Sequence, residues 1–390
     1  ETYKYAVKKP AKKAELERCR RGQGSAELSI NNVRARINTS GNMWYDGSTA
    51  RYFVPKDGNS TAMFCAALWI GGQDANLQLR VAALKFGQSG DDFWPGPLTV
   101  DANASVDKAV CEQWDKHFKI TKAEVEYFVD GFEYQGGTFI GVDASRATEA
   151  IKTWPAHGDV SKNQSKFMAP FFDRNGDGVY SWEDGDYPYY DLSGELCPAK
   201  QKEQWAELGL PFIPTPTMES DTTNPNYGTG GVVKAYGGLL VDQVLKGDET
   251  IWWVFNDKGN AHTESGSENP IGLEIRAQAF AFAMNDEINN MTFYSYEIIN
   301  RSTFTLTNTY FSQWVDPDLG YSHDDFVGCD VERGLGYCYN GKATDGPGTG
   351  SYSGNPPAIG IDFFQGPYMD ADGRVNPKVD PYKVAHTFRE

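Results

Sequence analysis

Between Thr250 and Trp314 the chain carries four strand-length runs rich in aromatic and β-branched residues: TIWWVF, LEIRAQAFAFAM, MTFYSYEII and TFTLTNTYFSQW. Runs of this kind hide their side chains best in a sheet covered on at least one face. From Thr303 to Tyr310 threonine alternates with larger residues at period two, the spacing of a strand with two unlike faces. Asn300-Arg301-Ser302 offers a turn between the last two runs, so an antiparallel meander is expected there. The first hundred residues have the same character. SINNVRARIN sets Ile30, Asn32, Arg34 and Arg36 against Val33, Ala35 and Ile37, and ARYFVP, AMFCAALWIGG and LQLRVAALKF are further β-rich runs.

Helical signals interrupt this pattern. Asp107 to His117 and Lys122 to Val129 have helical spacing, and Thr121 with Glu124 forms a capping box. A third helix is expected over Ala144 to Lys152, and another over Ala11 to Arg20, after Pro10 and before Gly22. The fold class is therefore mostly β, an antiparallel sandwich or meander with a helical insertion and long loops, α+β as a whole. Five segments are expected: a basic N-terminal arm (1–36), a β-rich part with the helical insertion (37–170), a calcium loop (171–191), a Pro/Gly-rich connection (192–245) and an antiparallel β region (246–390).

Charge sharpens the division. The net charge is −17, yet residues 1–36 hold ten Lys/Arg against four Glu, which leaves −23 on the remainder. An acidic body of that size repels phosphate backbones and excludes general nucleic-acid binding. The arm is expected to dock on an acidic face, of its own chain or of a neighbour in self-assembly or a surface-protein complex. No apolar stretch is long enough for a transmembrane helix, and no signal-peptide core is present. The chain opens at Glu1, which reads as a processed or trimmed form. Six cysteines include no CxxC pair. Cys329 and Cys338 could close a short loop, but spacing leaves the pairing open.

The sharpest chemical signal is the run from Asp173 to Asp186. Oxygen side chains at Asp173, Asn175 and Asp177 occupy positions 1, 3 and 5 of a Ca²⁺ loop, with Gly178 at the sharp turn and the Val179 carbonyl at position 7. Asp184 stands at position 12 where an EF-hand places Glu, as in dockerin-type loops, and Asp186 could add a ligand. The competing reading is an Asn/Gly/Asp turn without metal. A second acidic group, Asp316, Asp318, Asp324, Asp325 and Asp330, follows the last strand run and would repel itself without a cation, so a second Ca²⁺ site is possible there; Asp370 and Asp372 are weaker candidates. No catalytic residue is assigned. The histidines are scattered and no HExxH, GxSxG or phosphate-binding glycine motif occurs. His262 with Glu264 reads better as a satisfied loop histidine than as a metal or acid/base pair. Trp44-Tyr45, Trp94, Trp252-Trp253, Trp314, Tyr187, Tyr189 and Tyr190 belong mostly to a core, with exposed stacking platforms for sugars as the alternative.

From about residue 30 onward many blocks resemble a group of large secreted proteins of Bacteroidetes. They include NNVRARINTSGNMWYDG, AALWIGGQD, QSGDDFWPGPL, PFFDRNGDGVYSWEDGDYP, WWVFNDKGNAHTESG, NDEINNMTFYSYEIINRS, QWVDPDLGY and DDFVGCDVERGLGYCYNG. Members of that group typically end in a sorting domain read by the type IX secretion system, which is not found before Glu390. The resemblance implies export to the cell surface or the medium and names no activity. Asp221-Thr222-Thr223 resembles the short O-glycosylation signal of these bacteria. The expected function is thus a secreted, calcium-stabilised structural or adhesive surface protein; the alternative is a glycan-binding module or polysaccharide-acting enzyme.

Overall fold

The computed structural model describes residues 18–87, 90–190, 192, 244–267 and 269–364. The expected Pro/Gly-rich connection, the Asp221-Thr222-Thr223 signal, Cys197, and Asp370 and Asp372 lie outside these residues, apart from Leu192, Val244 and Leu245 at the ends of the connection. In chain order the first strands are β1 (Ser25–Leu28), β2 (Arg34–Asn38), β3 (Asn42–Met43), β4 (Tyr52–Phe53), β5 (Thr61–Met63), β6 (Cys65–Gln73), β7 (Leu79–Ala83) and β8 (Trp94–Pro95). A mixed section follows, with α1 (Lys108–Gln113), β9 (Phe118–Thr121), α2 (Lys122–Val129), β10 (Phe132–Gln135), β11 (Thr138–Val142), α3 (Glu149–Lys152), β12 (Phe171–Phe172) and β13 (Tyr187–Pro188). The remainder is β14 (Glu249–Asn256), β15 (Leu273–Ala281), β16 (Phe293–Asn300), β17 (Thr307–Asp316), β18 (Asp325–Asp330), β19 (Leu335–Asn340) and β20 (Ala358–Asp362). The fold is mostly β and antiparallel, with a small helical part.

Two antiparallel sheets enclose the main core. One runs β17-β6-β3-β2-β4-β5, with β1 on β2 and β7 on β6; the other runs β16-β15-β14-β8, with β9 also on β14. Ile37, Leu68 and Ile70 from the first sheet share one cluster with Ile251, Trp253, Phe255 and Ile275 from the second. The opposite side of the second sheet is covered by the helical insertion, where Trp252 and Val254 meet Val125, Phe128 and Ile151. β14 is therefore buried at all its positions. Alternate residues enter different cores, which explains why TIWWVF is apolar without alternating.

The meander stops one strand short of expectation. β14, β15 and β16 pair in succession, but β17 starts only at Thr307 and crosses to the other sheet, lying antiparallel on β6 from Thr307↔Gln73 to Asp316↔Cys65. That placement sets Phe311 and Val315 against the shared core, a burial a fourth neighbour of β16 would not share. Segments 37–170 and 246–390 are consequently interleaved, since β8 and β9 also pair with β14.

The helix signals are met locally. Asp107 accepts from Val110 N at the start of α1, and Thr121 and Glu124 close the capping box of α2 reciprocally. The expected third helix is broken in two. A 3-10 turn over Ala144–Arg146 ends before Thr148, whose hydroxyl caps α3 by accepting from Ile151 N at 3.4 Å. Of the expected arm helix, Arg18 to Arg20 are irregular and the rest lies outside the described residues. From Arg18 the arm is fastened to its own chain. Cys19 forms a disulfide with Cys111, Arg21 Nε donates to Asp91 at 2.6 Å, and the amides of Gln23 and Gly24 donate to Asp115. Cys329 and Cys338 do not pair. Cys338 is buried opposite Val327, whereas Cys329 is exposed opposite Gly336.

His117 is a half-buried residue whose two ring nitrogens are buried. Its ring lies 5.5 Å from that of Trp253, and neither ring nitrogen has a hydrogen-bond partner among the described residues. Burial pushes its pKa down to about 3, against a smaller raising effect of Asp115 and with a lowering one from Arg36. The neutral ring is the folded form, so its stability contribution is complete above the unfolded pKa near 6.5 and is lost as pH falls from there toward 3. Replacing His117 by Leu should flatten this acid limb by about 2–4 kcal/mol relative to wild type. Urea midpoints at pH 7 and pH 4 check it, and equal pH dependence in both proteins would refute it.

Candidate metal centres

The first loop is held open by the short pair β12–β13, with Phe171↔Pro188 and Phe172↔Tyr187 in register. Phe171 and Tyr187 anchor that pair in the helical-side core, and Tyr180 and Trp182 pack on its margin. Between them the side chains fold the backbone around themselves. Asp173 accepts from Gly176 N and Gly178 N, each at 2.7 Å. Asn175 accepts from Asp177 N at 3.0 Å, and Asp177 from Val179 N at 2.7 Å. Gly176 and Gly178 have φ of +75° and +71°, where a side chain would strain the chain.

Asp186 is the member that sequence reasoning undervalued. It is fully buried and accepts from Arg174 N and Ser181 N, both at 2.9 Å. Burial pushes its pKa up to about 6, and the neighbouring Asp173 and Asp177 carboxylates add to the rise. Asp184, assigned to position 12, is instead an exposed residue of a 3-10 turn, and its amide bonds the Ser181 hydroxyl at 3.3 Å. Val179 lies in the loop with an exposed side chain. His157 closes the base of the loop: Nε2 accepts from Tyr180 N and Nδ1 meets Lys166 O, both at 2.8 Å.

Among the described residues no three His, Cys, Asp or Glu side chains converge into a group able to hold a metal. The donor chemistry still suits a hard cation. Each carboxylate oxygen that accepts one N–H keeps a lone pair, Asn175 adds a neutral oxygen, and Asp186 holds a costly buried charge beside two others. Asp173, Asn175, Asp177 and Asp186 are the side chains that would hold Ca²⁺. The ion would supply charge neutralisation.

The second acidic group is partly dispersed. Asp318 is pushed up to about 6 by burial, with Asp316 and Asp325 adding, and Asp325 is raised by burial, Asp345 and Asp324. Asp324 is buried, and its Oδ2 has no hydrogen-bond partner among the described residues, with Lys342 Nζ at 4.0 Å. Asp330 departs from the group: it sits at the far end of β18 and pairs with Arg333, which holds its carboxyl below the usual range. Asp345 takes its place, accepting from Tyr352 N at 2.6 Å and Tyr321 N at 3.1 Å. No local pattern marks Asp345, because only the return of the chain past β19 brings it there.

His262 is a satisfied structural histidine. Its ring is buried, with Nδ1 2.7 Å from Val81 O and Nε2 2.5 Å from Asp257 O. The aromatics considered as sugar platforms are core: Trp44, Tyr45, Trp94, Trp252, Trp253, Tyr187 and Tyr190 are buried, and Trp314 and Tyr189 are half-buried. The exposed rings lie elsewhere: Tyr127, Tyr134, Tyr310 and Phe364 singly, and Phe326, Tyr337 and Tyr339 together on β18 and β19. Their alternation with glycine and cysteine carries little hydrophobic signal. No helix among the described residues is long and apolar enough to cross a membrane. No protein-family model, no curated protein and no solved structure matches this chain.

Proposed function

We propose that this is a secreted surface protein with a structural or adhesive role, exported by the type IX pathway and stabilised by Ca²⁺ in the loop Asp173 to Asp186. The observation that carries the metal reading is the buried Asp186 carboxylate beside Asp173 and Asp177, since a divalent cation removes that repulsion. The Cys19–Cys111 disulfide supports export, because such bonds persist in oxidising compartments. The extracellular or outer-surface location and passage through the secretion machinery rest on the sequence resemblance. The loop ties the helical layer to the strand pair β12–β13, so its role in this reading is passive clamping. Any self-assembly or surface-protein partner of the basic arm would involve residues ahead of Arg18, beyond the segment already bound to its own chain.

Thermal melting with Ca²⁺ and with a chelator tests the metal. At Ca²⁺ a hundredfold above Kd, stabilisation of about 2.7 kcal/mol is expected, and Asp177→Ala should abolish the difference. An unchanged midpoint removes calcium from the account.

A further inference from the structure

The sheet β18-β19-β20 rests on the body through β19 and β20, while β18 at its edge reaches solvent on both faces, with Val327 70% exposed. Cys338 of β19 is buried, and Ile359 and Ile361 of β20 pack on the main core. The alternate positions therefore point outward. In register across the strands these are Phe326↔Tyr339↔Ala358, then Gly328↔Tyr337↔Gly360, then Asp330↔Leu335↔Asp362. Phe326, Tyr339 and Tyr337 are 56%, 45% and 38% exposed, a large aromatic area to leave in water. The rings follow one another at 5.9 and 6.3 Å, with interplanar angles of 23° and 29°.

Glycines set that orientation. A Cβ on Gly328 would lie 2.5 Å from the Tyr337 ring and hydroxyl, and one on Gly341 would lie 2.3 Å from the Phe326 ring. These two rings lie across bare backbone, which makes the strip low and nearly flat. Ala358 and Gly360 alongside add little height to it. The Asp362 carboxylate borders one end, where Asp330 is held by Arg333, on a body with a net negative charge, so stacking of a polyanion such as single-stranded nucleic acid is opposed. A neutral polymer with flat C–H faces and hydroxyls at its rim fits both features.

We propose that the outward face of β18-β19-β20 binds a neutral glycan chain, with Phe326, Tyr339 and Tyr337 as successive stacking platforms and Asp362 accepting sugar hydroxyls. This deepens the adhesive reading above and rests on it; the calcium and export tests are independent of its outcome. The probes are hydroxyethyl cellulose, xyloglucan, galactomannan and laminarin in affinity electrophoresis of the full chain, with oligo-dT as the polyanion. At least one neutral glycan should retard the protein. Tyr337→Ala/Tyr339→Ala should weaken that binding at least about tenfold while the far-ultraviolet circular dichroism of the fold is kept, and Tyr337→Phe/Tyr339→Phe should retain it. No retardation by any neutral glycan overturns the proposal, as does equal binding by the alanine variant. Equal retardation by oligo-dT, or concentration-dependent dimerisation of wild type that the alanine variant loses, would also overturn it and assign the face to nucleic acid or to a second copy.

Discussion

Replacing both Cys19 and Cys111 by serine should lower stability by about 4–5 kcal/mol, the largest effect expected from any single covalent feature of this chain. The bridge spans 92 residues, so in its absence the unfolded ensemble regains the freedom of a long loop. Native contacts suffer as well. Cys19 and Cys111 pack with Trp94, and Cys19 N donates to Gly259 O at 3.0 Å, so the bridge fastens the arm to α1 beside the loop that follows β14. Urea titrations with and without reductant give the readout. Wild type should lose stability on reduction and the double variant should not respond. Equal midpoints for oxidised and reduced wild type would show that the bridge contributes nothing.

A comparable loss, about 3–5 kcal/mol, is expected for Asp257→Ala. This fully buried carboxylate accepts from three successive amides, Ile271 N at 2.5 Å, Gly272 N at 2.8 Å and Leu273 N at 2.6 Å. It thereby docks the chain entering β15 onto the end of β14, with Gly272 at a φ of +91°. His262 stands beside it, with Asp92 on the other side of the ring, and Asp92 accepts from Ala83 N and Glu264 N. Alanine would strand buried amides that no water replaces, whereas Asp257→Asn keeps one acceptor oxygen and should cost about half as much. Fluorescence of Trp252 and Trp253 on β14 would follow the transition. A change below about 0.5 kcal/mol for the alanine variant would mean the loop finds other partners.

How far the fold can be read in the sequence depends on the range of the interactions involved. The capping box at Thr121 and Glu124 involves neighbours three residues apart and forms where expected, whereas the helix expected over Asp107 to His117 starts in place but ends at Gln113. Burial alternates along Arg34–Asn38 as the periodicity says. The break at Thr148 is also local, but a threonine mid-run reads equally as helix interior or cap until Ile151 N is seen to donate to it. β17 could not be placed the same way. Its alternation is compatible with any antiparallel neighbour, and only burial of Phe311 and Val315 against the shared core selects β6 over β16.

The acidic loops divide on the same principle. In the first, Asp173, Asn175 and Asp177 each bond an amide two to five residues ahead, so residue spacing alone dictates the turn. Asp186 matters because β12–β13 pairing buries it, which spacing does not reveal. In the second, Asp330 is carried away along β18 and Asp345 is brought in by the chain's return.

The sequence by itself determined the β-rich class, the starts of α1 and α2, the turn at Asp173 to Gly178 and an acidic charge that disfavours nucleic acid. Each of these is set by contacts within a few residues or by composition. Tertiary structure alone decided which strands pair, which carboxylates lose water, which cysteines meet and which aromatic rings remain exposed. Those outcomes depend on burial against partners tens to hundreds of residues away, and a side chain's apolarity says that it will be covered without saying by what.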